Sequence, residues 1–320
     1  MISIEKHKGF LVAGRAGLDL YADPPGSEIE GAARFTSALG GSGANIAVGI
    51  AKLGSKSALL SSVSDDAVGR FVLRELDRYG VDRSRVRSLK GEMRTSLAVV
   101  ETRLANCQSV IYRNGAADFG LTAEDVAQAG IAEFGMLIVT GTALAVEPSR
   151  SAVLLALRKA REAGVPVTLD VDYRPYSWVS AAEAAATCRE AAALSDMVIG
   201  NDVEFDVMAG GADGLALAQS MASRCPAVVY KMGEKGSVTF APGESFETPI
   251  DRVAALKPTG AGDAFMAGLV TGLSDGLGLR EAVRRGTAAA AITVTRVGCA
   301  PASPTAEELA AFIHRHARPA

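Results

Sequence analysis

Short apolar runs of strand length alternate along the chain with longer segments whose apolar residues recur every three or four positions. The apolar runs are residues 10–14, 58–63, 136–140, 165–169, 197–199 and 227–230. The helical patterns cover about residues 66–79, 148–163, 181–194 and 306–314. The first of these helices lies between Asp65 or Asp66, either of which can cap it, and Gly80, which can end it. Because the runs are apolar throughout, they indicate parallel strands covered on both faces, and the pattern predicts a doubly wound α/β fold.

Two stretches interrupt this alternation. Residues 19–37 are loop-rich, with turn signals at Asp23–Gly26, whereas residues 94–113 have the pattern of two strands joined by a polar turn around Asn106. Such strands cannot easily join the parallel order of the main sheet. We therefore expect both stretches to form a small β-sheet that projects from a single domain of residues 1–320, either as a lid or as a surface that pairs two chains.

Composition and charge exclude several classes of protein. The chain carries 33 Lys and Arg against 36 Asp and Glu, and this formal net charge of −3 argues against a dedicated nucleic-acid binder. Its apolar stretches end well before the ~20 residues that a membrane span needs. The first residues show no basic segment followed by an apolar run, so we expect no secretory signal. The sequence thus predicts a cytoplasmic protein without membrane or nucleic-acid partners.

The histidines and cysteines limit the chemistry further. The three histidines, His7, His314 and His316, all lie near the termini, so we expect neither a Ser-His-Asp triad nor a multi-histidine metal site. The four cysteines are widely spread without a CxxC pair, as in a cytosolic protein with reduced thiols. Any catalysis must therefore rely on carboxylates, lysine, arginine and backbone amides.

The segment with the most specific chemistry is residues 257–268, KPTGAGDAFMAG. Gly260 and Gly262 let the backbone turn tightly and direct N–H groups one way, and the following helix adds the partial positive charge of its N-terminus. Such a helix start can receive a phosphoryl group, and Asp263 beside it can take a proton from a hydroxyl. The alternative is that Asp263 only caps the helix. The segment is not a Walker loop, since no Gly-Lys-Ser/Thr follows, and it is not a dinucleotide fingerprint, since Phe265 occupies the third glycine position.

Two further segments bring polar side chains to places where α/β proteins bind ligands. In residues 40–54, three glycines lead into an apolar helix that carries Asn45, an amide that can bond to hydroxyl groups. Tight packing of helix against sheet is the alternative. Residues 170–178 follow a strand, and Arg174 offers a fork for a carboxylate or a phosphate. The alternative is an ion pair with an aspartate of the same segment.

Two other polar segments also follow apolar runs. Asn201 and Glu204 stand three residues apart and can share one side of a helical turn, where the carboxylate can hold a Mg²⁺ shell through water. A helix cap is the alternative. Residues 231–236 form a glycine-containing turn, and taken alone this segment is typical of a β-hairpin.

In this order, the segments resemble those of the ribokinase-like, PfkB-type carbohydrate kinases over about residues 10–312. The resemblance implies a three-layer αβα fold with a doubly wound, mostly parallel sheet and a small β-sheet lid. It implies transfer of the γ-phosphate of ATP to a sugar hydroxyl, with Mg²⁺ as the metal. It also implies that Asp263 is the catalytic base and that the amides of Gly260, Ala261 and Gly262 form the anion hole.

The same resemblance implies a set of binding residues. It implies sugar contacts at Asp19, Gly41 and Asn45. It implies nucleotide contacts at Asn201, Glu204, Lys231, Gly233, Gly236 and Thr259, with Glu204 also reaching Mg²⁺ through water. Lys257 departs from the family pattern, because many relatives have an aspartate there that helps to bind a monovalent cation. This lysine therefore predicts little activation by K⁺.

Finer features resemble the branch of this family that acts on 5-dehydro-2-deoxy-D-gluconate, an acidic keto-sugar, in myo-inositol catabolism. They are residues 14–16, 140–144, 172–176, 204–208 and 304–308. Arg113 and Arg174 lie in segments that resemble the acid-binding positions of related 2-keto-3-deoxygluconate kinases, and Arg15 is a further candidate for binding a carboxylate. The alternative is that these arginines pair only with carboxylates of the protein.

Other functions stay open from the sequence. A kinase of 2-keto-3-deoxygluconate, fructose or a nucleoside would carry the same motifs, and a sugar- or nucleotide-sensing module could keep them without catalysis. A dehydrogenase is disfavoured because neither glycine-rich segment matches the dinucleotide fingerprint. Exposed lid strands could pair two chains into a homodimer. The sequence thus predicts an enzyme whose small-molecule partners are ATP and an acidic sugar.

Overall fold

A computed structural model describes residue 2 and residues 4–316. Its strands are β1 (Phe10–Ala13), β2 (Gly17–Asp23), β3 (Arg34–Gly40), β4 (Ser57–Ser64), β5 (Val86–Leu89), β6 (Ser96–Val100), β7 (Ser109–Tyr112), β8 (Met136–Thr140), β9 (Val167–Asp170), β10 (Met197–Asn201), β11 (Ala227–Lys231), β12 (Ser237–Ala241) and β13 (Glu244–Thr248). Its α-helices are α1 (Ser42–Lys52), α2 (Ala67–Arg78), α3 (Ala123–Gln128), α4 (Ser149–Glu162), α5 (Ala181–Ala193), α6 (Asp202–Met208), α7 (Gly214–Met221), α8 (Ala261–Ser274), α9 (Leu279–Val294) and α10 (Ala306–Arg315). Each predicted apolar run overlaps one of these strands, and each predicted helix overlaps α2, α4, α5 or α10.

Nine strands form the central sheet, in the order β13-β12-β11-β10-β9-β8-β1-β4-β5. The strands from β5 to β11 in this order run parallel, while β12 and β13 complete one edge as antiparallel strands. Alternate residues of β1 face opposite layers. Leu11 and Ala13 join a core with α3–α7, whereas Phe10 and Val12 join a core with α1, α2 and α8–α10. The predicted doubly wound α/β fold is therefore confirmed.

Four strands form the small sheet, in the order β3-β2-β6-β7. The predicted sheet is thus confirmed, and the loop-rich part of residues 19–37 is the connection 24–33 between β2 and β3. In β2, Asp19 and Tyr21 are buried whereas Leu18 and Leu20 are half-exposed. The usual polarity is thus reversed, so the alternation alone would assign the wrong face of β2 to the interior. That the small sheet acts as a lid stays a prediction.

The fold brings three kinds of element to one edge of the molecule. These are the carboxyl ends of β8 and β9, the N-termini of α1 and α8, and the inner face of the small sheet. Open α/β sheets bind ligands at such an edge.

Away from this edge, Asp66 caps α2 by accepting hydrogen bonds from the N–H groups of Val68 and Gly69, which settles the choice between Asp65 and Asp66. Across residues 2 and 4–316, no helix has both the length and the apolar character that crossing a membrane requires.

Candidate active site

A cavity of about 340 Å³ lies where the small sheet faces the central strands. Eight of the residues singled out in the sequence line it: Arg15, Asp19, Asn45, Arg113, Arg174, Thr259, Gly260 and Asp263. The other candidates, which are not among its lining residues, are Gly41, Ala261, Gly262, Asn201, Glu204, Lys231, Gly233 and Gly236. The structure therefore gathers most of the sugar and transfer candidates around one space, and it leaves most of the nucleotide candidates outside that space.

The N-terminus of α8 opens at this cavity. Gly260 precedes the helix with a φ of 84°, and no side chain caps the helix, so the N–H groups of Ala261, Gly262 and Asp263 have no partner within it. A Cβ at Gly260 would lie 2.8 Å from Cys299 Sγ, so both conformation and space require glycine there. Asp263 lies in the first turn rather than at the cap, so the alternative of a capping aspartate is wrong. The helix start has the geometry of an anion receptor.

Asp263 has the environment of a proton acceptor. Asn45 Nδ2, from α1, donates a hydrogen bond to Asp263 Oδ2 at 2.9 Å. Removal from bulk water raises the pKa of Asp263 to about 7, and the negative charge of Asp172 acts in the same direction. Arg174 and Lys231 oppose this rise in pKa but do not cancel it. A carboxylate with a pKa near neutrality is well matched to taking a proton from a hydroxyl group.

Asp172 lies just beyond β9, and its role was left open by the sequence. Its Oδ2 accepts hydrogen bonds from Ser42 Oγ at 2.6 Å and from Thr142 Oγ1 at 2.9 Å. Its φ of 38° is in the left-handed region, which aspartate tolerates better than most residues. Asp172 therefore ties the start of α1 to the ends of β8 and β9. Sequence analysis missed Ser42 and Thr142, although the first opens a helix and the second directly follows a strand.

Asp19 sits in a small buried network on the inner face of the small sheet. The Tyr21 hydroxyl donates to Asp19 Oδ2 at 3.0 Å and lies 3.1 Å from Cys299 Sγ. The other oxygen, Asp19 Oδ1, is buried without a hydrogen-bond partner among the described residues. Burial raises the pKa of Asp19. No sequence signal connects Tyr21 with Cys299, because 278 positions separate them.

The three candidate arginines differ in their partners. Arg113 forms a buried ion pair with Asp118, and Arg174 NH2 lies 2.9 Å from Asp172 Oδ1. Arg113 and Arg174 thus form ion pairs with carboxylates of the protein, which was the alternative left open by the sequence. Arg15 forms no ion pair with any carboxylate of the described residues.

Asn201 and Glu204 form a helix cap at the start of α6. The Asn201 side chain accepts from the Glu204 N–H at 2.9 Å, and Glu204 Oε2 accepts from the Asn201 N–H at 2.7 Å. Glu204 Oε1 accepts a further hydrogen bond from the Tyr173 N–H at 3.2 Å. Burial raises the pKa of the Glu204 carboxyl. The capping alternative is therefore present, and a role of either residue at a nucleotide or metal stays a prediction.

Lys231 connects the nucleotide candidates to α8. Its Nζ lies 4.0 Å from Asp170 Oδ1 and 3.5 Å from the position of a Cβ built at Gly262. The turn after Lys231 joins the antiparallel strands β11 and β12, so the segment is a hairpin turn, with Gly233 at a φ of 57° and Gly236 at a φ of 87°. A second cavity, of about 430 Å³, lies beside this turn. It is lined by Glu234, Lys235, Pro249, Ile250, Asp251, Arg252 and His316.

Gly41, the last of the sugar candidates, has a packing role. It precedes α1 with a φ of 95°, and a Cβ there would lie 2.4 Å from the carbonyl oxygen of Arg15. The start of α1 thus packs against the backbone that follows β1, as the packing alternative predicted. A sugar contact at Gly41 stays a prediction.

Comparison with known proteins identifies the family. The model of the pfkB family carbohydrate kinases matches residues 9–306. The chain belongs to the pfkB family. It is accordingly an ATP-dependent carbohydrate kinase with the ribokinase-like fold, which confirms the resemblance seen in the sequence.

Three of the similar proteins illustrate the sequence identity and the coverage. A 5-dehydro-2-deoxygluconokinase of Photobacterium profundum is 42% identical over 310 residues, which cover 95% of this chain and 94% of that protein. A protein of the same name from Geobacillus thermodenitrificans is 38% identical, with coverage of 98% and 96%. A solved fructokinase of Vibrio cholerae, in its fructose-, ADP- and potassium-bound form, is 29% identical with a TM-score of 0.85, and 96% of this chain and 99% of that chain are covered.

Lys257 of this pfkB kinase lies beneath the loop that leads into α8. The residue is fully buried, and its Nζ donates a hydrogen bond to the carbonyl oxygen of Thr259, directly before Gly260. Burial lowers the pKa of Lys257, while the negative field of Asp263 acts in the opposite direction. The Lys257 amino group thus lies next to the start of α8.

We expect K⁺ to have little effect on turnover, because the Lys257 ammonium repels a second cation nearby and already supplies positive charge. The measurement is kcat in KCl against kcat in tetramethylammonium chloride at matched ionic strength, since screening alone changes surface electrostatics. The two salts should give the same kcat. A kcat that rises steeply and saturably with K⁺ would contradict the prediction.

Proposed function

We propose that this kinase phosphorylates 5-dehydro-2-deoxy-D-gluconate, an acidic keto-sugar, with ATP as the phosphate donor. The observation that carries this proposal is that the relatives with that substrate in their name match almost the full length of the chain, at 36–42% identity. The geometry supports it, because three arginines line the cavity that also holds Asp263. Arginine forks bind carboxylates in a bidentate way, which favours an acidic over a neutral sugar.

In the proposed reaction, the acceptor hydroxyl lies in the cavity between Asp263 and the γ-phosphate. Asp263 accepts the hydroxyl proton as the new P–O bond forms and the bond to ADP breaks. The free N–H groups at the start of α8 stabilise the negative charge on the transferring group. The hydrogen bond from Asn45 fixes the orientation of the Asp263 carboxylate.

The nucleotide candidates support a site for ATP on the other side of α8. Lys231 lies close to the helix start and can pair with phosphate oxygens. The adjoining hairpin turn, with Gly233 and Gly236, borders the second cavity, whose volume of about 430 Å³ is in the range of small-ligand sites. We infer that the phosphates of ATP extend from this cavity past Lys231 and Thr259 towards Gly260.

Mg²⁺ fits this site as a water-coordinated ion. Within the described part of the chain, no group of three or more His, Cys, Asp or Glu side chains is placed to hold a metal directly. Glu204 is a buried carboxylate whose oxygens accept backbone hydrogen bonds and keep lone pairs for a water molecule. Mg²⁺ retains several waters when it binds with nucleotide phosphates, so an indirect contact through Glu204 suits it. When bound, the ion neutralises charge on the β- and γ-phosphates.

The test of the proposed function is an acceptor panel with coupled detection of ADP. We expect kcat/KM to be highest for 5-dehydro-2-deoxygluconate, and higher for this acid than for fructose or a nucleoside by at least ~10²-fold, as a site built around a charged group discriminates strongly. 2-Keto-3-deoxygluconate is the closest competitor in charge. Preference for a neutral acceptor would refute the substrate assignment, and absence of ADP release with every acceptor would favour a sensing module.

We also propose that the small sheet can pair two chains. Its outward face carries Phe35 on β3 and Val110 and Tyr112 on β7, three exposed large apolar side chains. Such a face is stabilised by contact with a second copy. Sedimentation velocity measures this, and a chain that stays monomeric at high concentration would contradict it. The cytoplasmic location expected from the sequence likewise stays a prediction.

A further inference from the structure

Three guanidinium groups line the catalytic cavity, and two of them are already neutralised by the protein. Arg113 Nε donates to Asp118 Oδ2 at 3.0 Å, and the Arg113 guanidinium lies 4.1 Å from the ring centre of Phe119. Arg174 pairs with Asp172 at 2.9 Å and lies near Glu204. A substrate carboxylate that bound either arginine would have to share it with a fixed, buried carboxylate.

Arg15 differs because it is buried and forms no ion pair with a carboxylate of the described residues, although the charge of Asp19 acts on it from a greater distance. Only 8% of the residue is exposed, and it lies on the short connection between β1 and β2 at the cavity wall. Its one hydrogen bond runs from NH1 to Ser96 Oγ at 3.0 Å, and no carboxylate lies within 4.0 Å of it among residues 2 and 4–316. Burying a charge without a hydrogen-bonded counter-ion is unfavourable, so an anionic ligand in direct contact would reduce that penalty.

The surroundings hold the Arg15 guanidinium in place and leave donors free. Ser96 fixes one nitrogen, and a Cβ at Gly17 would lie 2.9 Å from NH1, so the absence of a side chain at Gly17 leaves room for the guanidinium. A guanidinium carries five N–H donors in one plane, and the structure uses one of them. The remaining edge can form the two parallel hydrogen bonds of a bidentate carboxylate contact.

Asp19 offers a hydrogen-bond acceptor for the hydroxyl groups of an acidic sugar. It lines the same cavity, and its Oδ1 is buried without a hydrogen-bond partner among the described residues. An unpartnered carboxylate oxygen can accept a hydrogen bond from a sugar hydroxyl. Arg15 and Asp19 attract each other electrostatically, but both keep hydrogen-bonding capacity at the cavity. Free guanidinium donors on Arg15 and a free oxygen on Asp19 match a molecule that has a carboxylate and hydroxyl groups.

We propose that Arg15, rather than Arg113 or Arg174, binds the carboxylate of the sugar substrate and sets the preference for acidic over neutral acceptors. This proposal rests on the proposed function, since it requires an acidic substrate. Arg113 and Arg174 then shape the cavity through their own ion pairs. Ser96 is a positioning residue that orients Arg15.

The experiment compares Arg15→Gln and Arg15→Lys with Arg113→Gln and Arg174→Gln. For 5-dehydro-2-deoxygluconate, Arg15→Gln should raise KM by about 10²-fold or more, because a charge-assisted bidentate contact is lost, whereas kcat/KM for fructose should not fall. Arg15→Lys should recover part of the loss, since it restores charge but not the fork. Arg161→Gln, an exposed arginine on α4, is the matched control and should leave both acceptors unaffected.

A binding measurement separates specificity from folding. Without ATP, the acidic sugar should raise the melting temperature of the wild type and of Arg161→Gln but not of Arg15→Gln, while ATP should stabilise all three. If the wild type prefers a neutral acceptor, the proposed function itself fails. If the wild type prefers the acid and Arg15→Gln keeps that preference, while Arg113→Gln or Arg174→Gln loses it, the proposed function stands and the assignment to Arg15 is overturned.

Discussion

Asp263→Asn should lower kcat by about 10²- to 10⁴-fold, the range that a positioned general base typically contributes. Asparagine has the same shape as aspartate but cannot accept the hydroxyl proton. The Asn45 contact and the start of α8 do not require the charge, so the affinity for ATP should be nearly unchanged. Coupled ADP detection gives kcat, and equilibrium binding of ATP gives the second quantity.

The pH dependence of kcat is a second test of the Asp263 carboxylate. The pKa of Asp263 is raised to about 7, so the wild-type kcat should fall as the pH drops below neutrality and the base becomes protonated.

The raised pKa of Asp263 also means that the folded state disfavours the charged form of this carboxyl group. The resulting destabilisation is absent below the unfolded pKa of 3.8 and grows as the pH rises to about 7. Asp263→Asn should therefore melt higher than the wild type at pH 8, and the difference should vanish near pH 4.

Asp65→Asn is the control for this variant. Asp65 is an exposed aspartate next to the cap of α2, and its replacement makes the same chemical change far from the cavity. It should keep the wild-type kcat and pH profile. An Asp263→Asn enzyme with near-normal kcat would show that another group takes the proton, and the proposed mechanism would have to be abandoned.

Gly260→Ala should reduce kcat by roughly 10²-fold, because in the proposed mechanism displacement of the α8 N-terminus misplaces the N–H groups that stabilise the transferring phosphate. Two causes act together. The φ of 84° is unfavourable for alanine by about 1–2 kcal/mol. In addition, the new Cβ would meet Cys299 Sγ at 2.8 Å and Cys299 Cβ at 3.1 Å, so either the loop or the cysteine must move. Initial rates and thermal unfolding measure the two effects.

Gly276→Ala is the matched control, since Gly276 follows the other end of α8 with a φ of 87° and a Cβ there would contact nothing within 4 Å. It should lose stability through backbone strain alone and keep its kcat. If Gly260→Ala and Gly276→Ala lose the same amount of activity, the loss reflects general destabilisation of α8 rather than the geometry of an anion receptor.

Local patterns in the sequence predicted the central fold well. The parallel strands are continuous apolar runs, so their positions follow from residues that are adjacent in the chain. The sequence placed residues 19–37 in the small sheet without giving the bounds of β2, whose polar residues Asp19 and Tyr21 point inwards. The burial of these polar residues is explained only by the cavity between the two sheets, which they line.

The pairing of charged groups could not be predicted from the sequence. Arg174 lies two residues from Asp172 and Arg113 lies five residues from Asp118, and each pair could equally have separated to meet a ligand. The contrast with Arg15 depends on which side chains the fold brings within reach. Likewise, the contact between Asn45 and Asp263 joins α1 to α8 across 218 positions, and only the packing of these two helices creates it.

The small sheet has a consequence for how such enzymes diverge. Its strands β2, β6 and β7 supply Asp19, Ala98 and Ser109 to the cavity wall, whereas Gly260 and Asp263 belong to a helix that packs on the central sheet. Mutations in the small sheet can therefore change the cavity wall without altering α8, the helix to which the proposed mechanism assigns phosphate transfer. If the proposed mechanism holds, exchange of these strands between two pfkB kinases should change the preferred acceptor and leave the start of α8 intact.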